Sequence, residues 1–281
     1  LEAGDGPTIL CLHGFPDTRH TFRPLIHALA PMGYRVVAPQ LRGYEASSLP
    51  PDGALSIRDL VEDVAGWIDA LKVEKVHLVG HDWGAIIGYA AATALPHRLH
   101  TLTTISVPHL RHFRQRIWRY PGQWRRSWYL LFFQLRLLPE ALIKAHDFAL
   151  LRRLIATWSP GWGPPPEWFA PLRAAFSNPR VLRAALGYYR RLFDWRSEQG
   201  RASVALSTAP IEVPTLVMMG ARDGCMSADL AWNMMEDADF PKGLTRETVP
   251  DAGHFLPMEA PKRVADHIHA FHHRVMSARD A

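Results

Sequence analysis

The sequence has little cysteine and no long apolar run, and each absence excludes a class of protein. Only two cysteines, Cys11 and Cys225, occur in 281 residues, which excludes a secreted fold held by several disulfides. No apolar run reaches the roughly 18 residues of a membrane span. The first residues carry no signal-peptide pattern, so the reducing cytoplasm is the expected compartment.

Acidic residues are scarce in the middle of the chain, although the net charge of the whole sequence is only +5. Residues 108–210 hold 17 Lys and Arg against 5 Asp and Glu, together with 7 of the 10 tryptophans. The flanking segments hold 15 basic against 22 acidic residues. We therefore predict that 108–210 is an inserted helical lid between two parts of one α/β core, 1–107 and 211–281.

Short apolar runs alternate with helical patterns in the two flanking segments. Such alternation predicts a doubly wound, mostly parallel sheet. Ligands bind beyond the carboxyl ends of the strands in open sheets of this kind, so functional side chains are expected directly after them. The predicted strands are Thr8–Leu12, Arg35–Pro39, Val76–Val79, Leu99–Ile105, Thr215–Gly220 and Thr245–Val249.

One turn, Gly80-His81-Asp82-Trp83-Gly84, joins an apolar strand-like run to a helical run of small residues. Glycines two residues before and two residues after Asp82 remove the Cβ atoms that would block a sharp reversal. The pattern predicts a nucleophile elbow, which raises one side chain above the edge of a sheet. That side chain is a carboxylate here, where the common pattern has serine.

Two further side chains follow predicted strands in the order expected of a catalytic triad. Asp223 comes after the strand predicted to end at Gly220, and His254 comes after the strand predicted to end at Val249. Nucleophile, acid and histidine follow one another in this order in α/β-hydrolases. A lone aspartate or histidine in a loop is usually structural, but the elbow, the order and the strand ends coincide. We therefore predict a triad of Asp82, Asp223 and His254.

The pattern resembles the α/β-hydrolase superfamily and, within it, the epoxide hydrolase family, with the haloalkane dehalogenases as relatives. His13-Gly14-Phe15-Pro16 is similar to the oxyanion motif of the epoxide hydrolases, and the elbow is similar to their Gly-His-Asp-Trp-Gly motif. The resemblance implies an oxyanion hole formed by the backbone N–H groups of Phe15 and Trp83. It also implies that His13 and Trp83 contribute to substrate binding.

The resemblance further implies two lid tyrosines that donate protons to the opened epoxide. Tyr129 is similar to the first, and Tyr189, which directly precedes arginine, is similar to the second. Tyr188 is the alternative for the second position and is otherwise expected to bind substrate. An unperturbed tyrosine is protonated at neutral pH, so its hydroxyl can donate to an alkoxide.

A carboxylate nucleophile indicates substitution at a saturated carbon. The ester that Asp82 would form can be hydrolysed, whereas a serine would form an ether that water does not easily cleave. His254, oriented by Asp223, would then activate a water molecule that attacks the ester. The expected reaction converts a small apolar epoxide and water to a vicinal diol, with no cofactor and no metal.

Two other functions stay open at this point. A haloalkane dehalogenase needs donors to the halide, and Trp83 offers one. In that family the other donor is usually a second tryptophan, or an asparagine directly after His-Gly, where this chain has Phe15. A non-catalytic, hydrolase-like binding protein is the other alternative, and the complete triad disfavours it.

Two clusters of residues are compatible with other functions, both of which we disfavour. Residues 111–126 interleave arginine with tryptophan, a pattern compatible with nucleic acid or a membrane surface. A solvated lid helix also explains this pattern. We therefore predict no nucleic-acid partner and no obligate membrane contact. A homodimer stays open. His269 and His273 lie four residues apart on the last predicted helix, but no third ligand for zinc is evident.

Overall fold

A seven-stranded sheet forms the centre of the fold in a computed structural model that describes residues 1–50, 53 and 55–280. The strands follow the spatial order β1-β3-β2-β4-β5-β6-β7. The first strand pairs antiparallel with the third, and every other neighbouring pair is parallel. The strands are β1 (Glu2–Ala3), β2 (Thr8–Leu12), β3 (Arg35–Val37), β4 (Val76–His81), β5 (Leu99–Ile105), β6 (Thr215–Gly220) and β7 (Leu244–Val249).

The central strands are covered on both faces, which explains their sequences. Every residue of β2, β4 and β6 is buried, and strands buried on both faces read as continuous apolar runs rather than as alternating ones. The predicted mostly parallel α/β sheet is confirmed. The prediction extended β3 to Pro39, but the strand ends at Val37. A proline cannot donate to the hydrogen-bond ladder.

Helices lie on both faces of this sheet and fill the segment between β5 and β6. Those described are α1 (Arg23–Leu29), α2 (Ile57–Ala70), α3 (Trp83–Ala94), α4 (Phe113–Arg116), α5 (Pro121–Arg126), α6 (Trp128–Phe132), α7 (Leu138–Trp158), α8 (Pro166–Ser177), α9 (Pro179–Arg191), α10 (Glu198–Thr208), α11 (Ala228–Met234), α12 (Leu256–Glu259) and α13 (Pro261–Asp280). None of these described helices is long and apolar enough to cross a membrane.

Local sequence accounts for several helix boundaries. Helix α2 starts at a capping box in which Ser56 and Asp59 exchange hydrogen bonds, and such a box satisfies two otherwise unpaired N–H groups. The first helical segment begins as a 3-10 turn over Arg19–Phe22, and α1 follows it. Helix α3 is buried along most of its length, which matches its run of small and apolar residues.

The segment predicted as a lid is helical from α4 to α10. Helices α7, α8 and α9 pack on one another, whereas α10 packs against α2 and α3 of the sheet layer. The division of the chain into a lid over 108–210 and a core over 1–107 and 211–281 stays a prediction. A cytoplasmic location also stays one, and both cysteines are free and buried.

Candidate active site

Asp82 sits in a sharp turn between β4 and α3. Its backbone has φ 53° and ψ −116°, a strained conformation for a residue with a side chain. A Cβ atom on Gly80 would lie 2.1 Å from the carbonyl oxygen of Gly84, and one on Gly84 would lie 1.9 Å from that of Leu12. The two glycines therefore permit the turn, as predicted for a nucleophile elbow.

The predicted oxyanion residues lie against the Asp82 carboxylate. The backbone N–H of Phe15 donates a 2.7 Å hydrogen bond to Oδ1 of Asp82. A Cβ atom on Gly14 would lie 2.3 Å from that oxygen and 2.7 Å from the backbone nitrogen of Trp83. Only a glycine at this position lets the two chain segments approach so closely. The structure thus places the backbone nitrogens of both Phe15 and Trp83 close to Gly14 and the Asp82 carboxylate.

The three predicted triad residues meet beyond the strand ends. Nδ1 of His254 lies 2.9 Å from Oδ2 of Asp223, and Nε2 of His254 lies 3.5 Å from Oδ2 of Asp82. The other Asp223 oxygen accepts the backbone N–H groups of Cys225 and Met226 at 2.7 and 2.9 Å. Because two amides fix the Asp223 carboxylate, it holds the His254 ring with Nε2 directed at Asp82.

The charge state of His254 follows from its surroundings. Burial by itself would lower the pKa of this fully enclosed imidazole, but the carboxylates of Asp223 and Asp82 on either side raise it to about 10. An opposite charge within a few ångströms favours the charged form. His254 is therefore an imidazolium between two carboxylates at neutral pH.

Tyr129 on α6 and Tyr189 on α9 bring their rings to the same place, 5.8 Å apart and nearly perpendicular. The Tyr189 ring also lies 5.2 Å from the rings of Phe15 and Trp83. Burial, with a further contribution from the charge of Asp82, raises the pKa of both hydroxyls well above the ordinary value. Both tyrosines are therefore protonated and able to donate.

The two lid tyrosines differ in their hydrogen bonds. The Tyr129 hydroxyl lies 3.2 Å from Sγ of Cys225. The Tyr189 hydroxyl is buried and has no hydrogen-bond partner within the described part of the chain. A buried hydroxyl without a partner is costly. Tyr189 is therefore the side chain that is better prepared to bind a new acceptor.

Tyr188 and His13, predicted to bind substrate, use their polar atoms elsewhere. The Tyr188 hydroxyl donates to the carbonyl oxygen of Arg42 at 2.7 Å. Nε2 of His13 accepts the backbone N–H of Leu41 at 3.1 Å, and Nδ1 lies 3.1 Å from the carbonyl oxygen of Gly14. Burial lowers the pKa of His13 to about 3, so its ring is neutral. The hydroxyl proton of Tyr188 and both ring nitrogens of His13 are therefore already used within the protein.

Trp83 is predicted to serve both the oxyanion hole and substrate binding. Its side chain extends from the elbow to α9. Its side chain is almost fully buried, and its ring lies 5.3 Å from that of Tyr188. Together with Phe15, Phe133 and Trp158, it forms an apolar surround for Asp82 and the lid hydroxyls. Such a surround accepts apolar ligands and excludes water from the charged groups.

Asp17 is a buried acid that the sequence patterns did not single out. It is 1% exposed, and its Oδ1 accepts the backbone N–H of Thr18 at 2.7 Å. Burial raises the pKa of its carboxyl to about 8, with a further increase from Asp82 and an opposing effect of His254. The sequence offers one signal for Asp17, which is its position directly after the predicted oxyanion motif.

The His254 loop is held by groups to which the sequence patterns assigned no role. Nε2 of His81 and the hydroxyl of Ser106 hydrogen-bond to the carbonyl oxygen of His254 at 2.8 and 2.6 Å. The Ser159 hydroxyl, directly after α7, accepts the His254 N–H at 2.8 Å. The Trp158 ring lies 5.2 Å from the His254 ring and 5.0 Å from Tyr129. The end of α7 therefore contacts both the His254 loop and Tyr129 of α6.

The residues closest to a metal-ligand arrangement belong to this site. One donor atom each of Asp223, Cys225 and His254 lies within 4.8 Å of the others. The carboxylate and the imidazole already bond to each other and to backbone amides. Burial raises the pKa of the Cys225 thiol well above its usual value, and metals bind the thiolate. These donors do not fit a metal ion.

Comparison with known proteins gives one consistent result. The family model described as alpha/beta hydrolase fold matches residues 7–261. AB hydrolase superfamily protein YfhM of Bacillus subtilis is 33% identical over 234 residues, which are 81% of this chain and 77% of that protein. Epoxide hydrolase 4 of Mus musculus is 31% identical over 272 residues, which are 94% of this chain and 72% of that protein.

A solved structure extends the similarity to the whole fold. The crystal structure of epoxide hydrolase VrEH1 from Vigna radiata is 28% identical and superposes with a TM-score of 0.77. The superposition covers 96% of this chain and 92% of that one. The similarity therefore includes both the sheet and the helices between β5 and β6.

Proposed function

The chain belongs to the α/β-hydrolase family and, within it, to the epoxide hydrolases, and from this premise we propose that Asp82 opens an epoxide through a covalent ester. The observation that carries the proposal is the carboxylate at the elbow, with the rings of Tyr129 and Tyr189 packed beside the turn that holds it. A carboxylate forms a hydrolysable ester with a saturated carbon. The hydroxyls supply the proton that an opened epoxide needs. The substrate class that fits the apolar surround is a small apolar epoxide.

In the first step, Asp82 attacks one epoxide carbon through Oδ2. Its Oδ1 is held by the Phe15 N–H, so Oδ2 is the oxygen left to react. A new C–O bond forms, the epoxide C–O bond breaks, and the electron pair moves to the epoxide oxygen. That oxygen takes the proton of Tyr189, with Tyr129 as the second donor.

Ester formation changes the charge beside His254. The esterified Asp82 is neutral, so one of the two carboxylates that raise the pKa of His254 is lost. The imidazolium then releases its proton, and solvent carries a proton to the tyrosinate left by the first step. His254 becomes a neutral base only after the nucleophile has reacted.

In the second step, His254 takes a proton from water, and the hydroxide attacks Cγ of Asp82. Oδ1 becomes the oxyanion, next to the N–H groups of Phe15 and Trp83. The bond between Oδ2 and Cγ breaks, the alkoxide takes the carboxyl proton, and the diol leaves. The Asp82 carboxylate returns, and the proton from water remains on His254, so the resting charges are restored.

The proposal is tested by trapping the ester. His254→Gln should accumulate an adduct whose mass equals that of the epoxide, located on Asp82 by peptide mass spectrometry. The matched control, Asp82→Asn together with His254→Gln, should show none. The wild-type protein should form diol from aromatic or aliphatic epoxides. Release of halide from haloalkanes, with no diol from any epoxide, would instead establish a dehalogenase, and no adduct with either would support a binding protein.

A further inference from the structure

Large apolar side chains are exposed in one segment of the lid. Of the ten exposed large apolar residues in the described chain, eight lie between positions 118 and 142. Monomeric proteins rarely expose many large apolar side chains together unless the surface has a partner. We call this set the lid surface: Trp118, Trp124, Trp128, Leu131, Leu135, Leu137, Leu138 and Leu142.

Arginines also accumulate in and directly before this segment, where acidic residues are almost absent. No Asp or Glu occurs between Asp82 and Glu140, and seven arginines lie between positions 111 and 136. Arg111 and Arg116 pair with acids of the core. The side chains of Arg119, Arg125 and Arg136 are exposed and make no ion pair or hydrogen bond to any described residue. Their charges are available to an anionic partner.

Helix α6 connects this surface to the active site. Tyr129 points inward and is 6% exposed, whereas Trp128 and Leu131 on the same helix are 45% and 65% exposed. Trp118 and Trp124 add a second exposed aromatic pair, with ring centres 5.0 Å apart. The lid segment that carries a proton donor on its inner face thus carries tryptophan and leucine on its outer face.

We propose that the lid surface docks reversibly on an anionic membrane. Tryptophan is favoured at membrane–water interfaces, and leucine adds apolar area that enters the boundary of the acyl chains. Exposed arginines near such a surface are attracted to anionic lipid headgroups. The helices α5 and α6 are short and lie at the protein surface, so the contact is peripheral.

Charge and shape favour a bilayer over the other occupants. A second copy of the chain, packed face to face, would bring unpaired arginines against their own counterparts, which repel one another. Nucleic acid would attract the arginines and stack on the tryptophans. It offers no apolar partner to the five leucines. An anionic bilayer accommodates both the arginines and the leucines.

Docking has a consequence that rests on the proposed function. Apolar epoxides concentrate in bilayers, and the docked face is the outer side of the helix that carries Tyr129. A docked enzyme would therefore take its substrate from the membrane rather than from dilute solution. The binding itself does not require that the protein hydrolyse anything.

The test is flotation of the full chain with vesicles, without any epoxide. The protein should float with vesicles of phosphatidylcholine and phosphatidylglycerol, and not with phosphatidylcholine alone. Arg119→Glu with Arg125→Glu should weaken partition about tenfold or more, since each basic residue contributes to attraction near the surface. The matched control, Lys262→Glu with Arg263→Glu on the exposed face of α13, has the same charge change and should bind as the wild type.

A second pair of variants separates insertion from charge attraction. Leu131→Ser keeps every charge and should still lower binding to the anionic vesicles, whereas Val204→Ser on α10, also exposed, should not. Thermal unfolding verifies that each variant is folded. Equal flotation of the lid and control variants would overturn the proposal. Absence of flotation would overturn it too. A dimer that Leu131→Ser dissociates would then identify a second copy as the partner, and nucleic-acid binding that the arginine variant abolishes would identify a nucleic acid.

Discussion

The two sides of the active site differ in charge. The sheet edge contributes the carboxyl groups of Asp82 and Asp223, with the His254 ring between them. The lid contributes Tyr129 and Tyr189, which burial keeps protonated. In the proposed mechanism, the sheet side therefore makes and cleaves the bond to carbon, and the lid side supplies the proton to the leaving group.

This difference also separates two kinds of evidence for function. A carboxylate nucleophile with a histidine base serves epoxides and haloalkanes alike, so the sheet side does not distinguish them. A hydroxyl donor assists an alkoxide, which needs a proton, far more than a halide, which does not. The preference for epoxides rests on the lid side, and variants of each side should have different effects.

The largest effect is expected on the sheet side. Asp82→Asn removes the nucleophile, and diol formation should fall by a factor of at least ~10⁴, because groups that act together in covalent catalysis lose nearly all activity singly. The measurement is diol formation at saturating epoxide. Thermal unfolding similar to that of the wild type confirms that the elbow still forms. Residual diol formation within tenfold of wild type would show that another group attacks the epoxide.

The lid side should show a smaller and unequal effect. Tyr189→Phe should lower the rate of ester formation by about 10²-fold, the lower range for general acid catalysis. Tyr129→Phe should lower it less, because its hydroxyl is already shared with Cys225. Single-turnover kinetics separate ester formation from ester hydrolysis. Both substitutions should slow hydrolysis less than they slow ester formation.

Tyr188→Phe is the matched control for the lid variants. Its hydroxyl donates to Arg42 and not to the site, so ester formation should stay near the wild-type rate. A loss as large as that of Tyr189→Phe would assign the second donor to Tyr188 and reverse our interpretation of α9.

The charge on the sheet side predicts a pH-dependent stability. The pKa of His254 is about 10 in the folded protein and about 6.5 in the unfolded chain. A group whose pKa is higher in the folded state stabilises that state fully when the pH is below the pKa of the unfolded chain. The stabilisation is lost as the pH rises through the pKa of the folded protein. The Tm of the wild type should therefore exceed that of His254→Gln by several degrees near pH 6, with a difference that shrinks steadily toward pH 10.

An exposed histidine provides the control for this pH dependence. His146→Gln, on the outer side of the lid, should follow the wild-type curve at every pH. A Tm difference for His254→Gln that stays constant from pH 6 to pH 10 would show that the imidazole is not held as a cation between the two carboxylates.

Much of the sheet side could be predicted from the sequence, for a physical reason. Buried parallel strands read as apolar runs, so β2 and β6 begin and end where those runs do. The polar residues that follow strands then converge because the carboxyl ends of parallel strands share one edge. Asp82 and His254 are separated by many residues in sequence, but the topology alone brings them together.

The lid side could be predicted only in part. Helical periodicity indicates an apolar face but not which layer that face meets, so the packing of α10 on α2 and α3 was not foreseen. The direction of a hydroxyl depends on side-chain packing between distant segments. Two contacts therefore have no signal in the local sequence. The Tyr129 hydroxyl lies beside Cys225, and the Tyr188 hydroxyl donates to the carbonyl oxygen of Arg42.

The smallest predicted effect concerns a contact between Cys225 on the sheet side and Tyr129 on the lid side. Cys225 lies two residues after Asp223, its backbone N–H donates to that carboxylate, and its thiol lies beside the Tyr129 hydroxyl. A hydrogen bond of this kind contributes about 1 kcal/mol, so Cys225→Ala should slow ester formation about fivefold. Cys225→Ser, which keeps a hydroxyl partner, should restore most of the rate.

A double-mutant cycle decides whether this effect passes through Tyr129. If Cys225 acts by positioning the tyrosine, Cys225→Ala should have no further effect on ester formation in a Tyr129→Phe background, because the hydroxyl that it positions is absent. In a Tyr189→Phe background the fivefold loss should persist or grow, since Tyr129 is then the remaining donor. Equal losses in all three backgrounds would mean that Cys225 acts on the sheet side, through the Asp223 loop, and that the two sides of the site are not coupled at this residue.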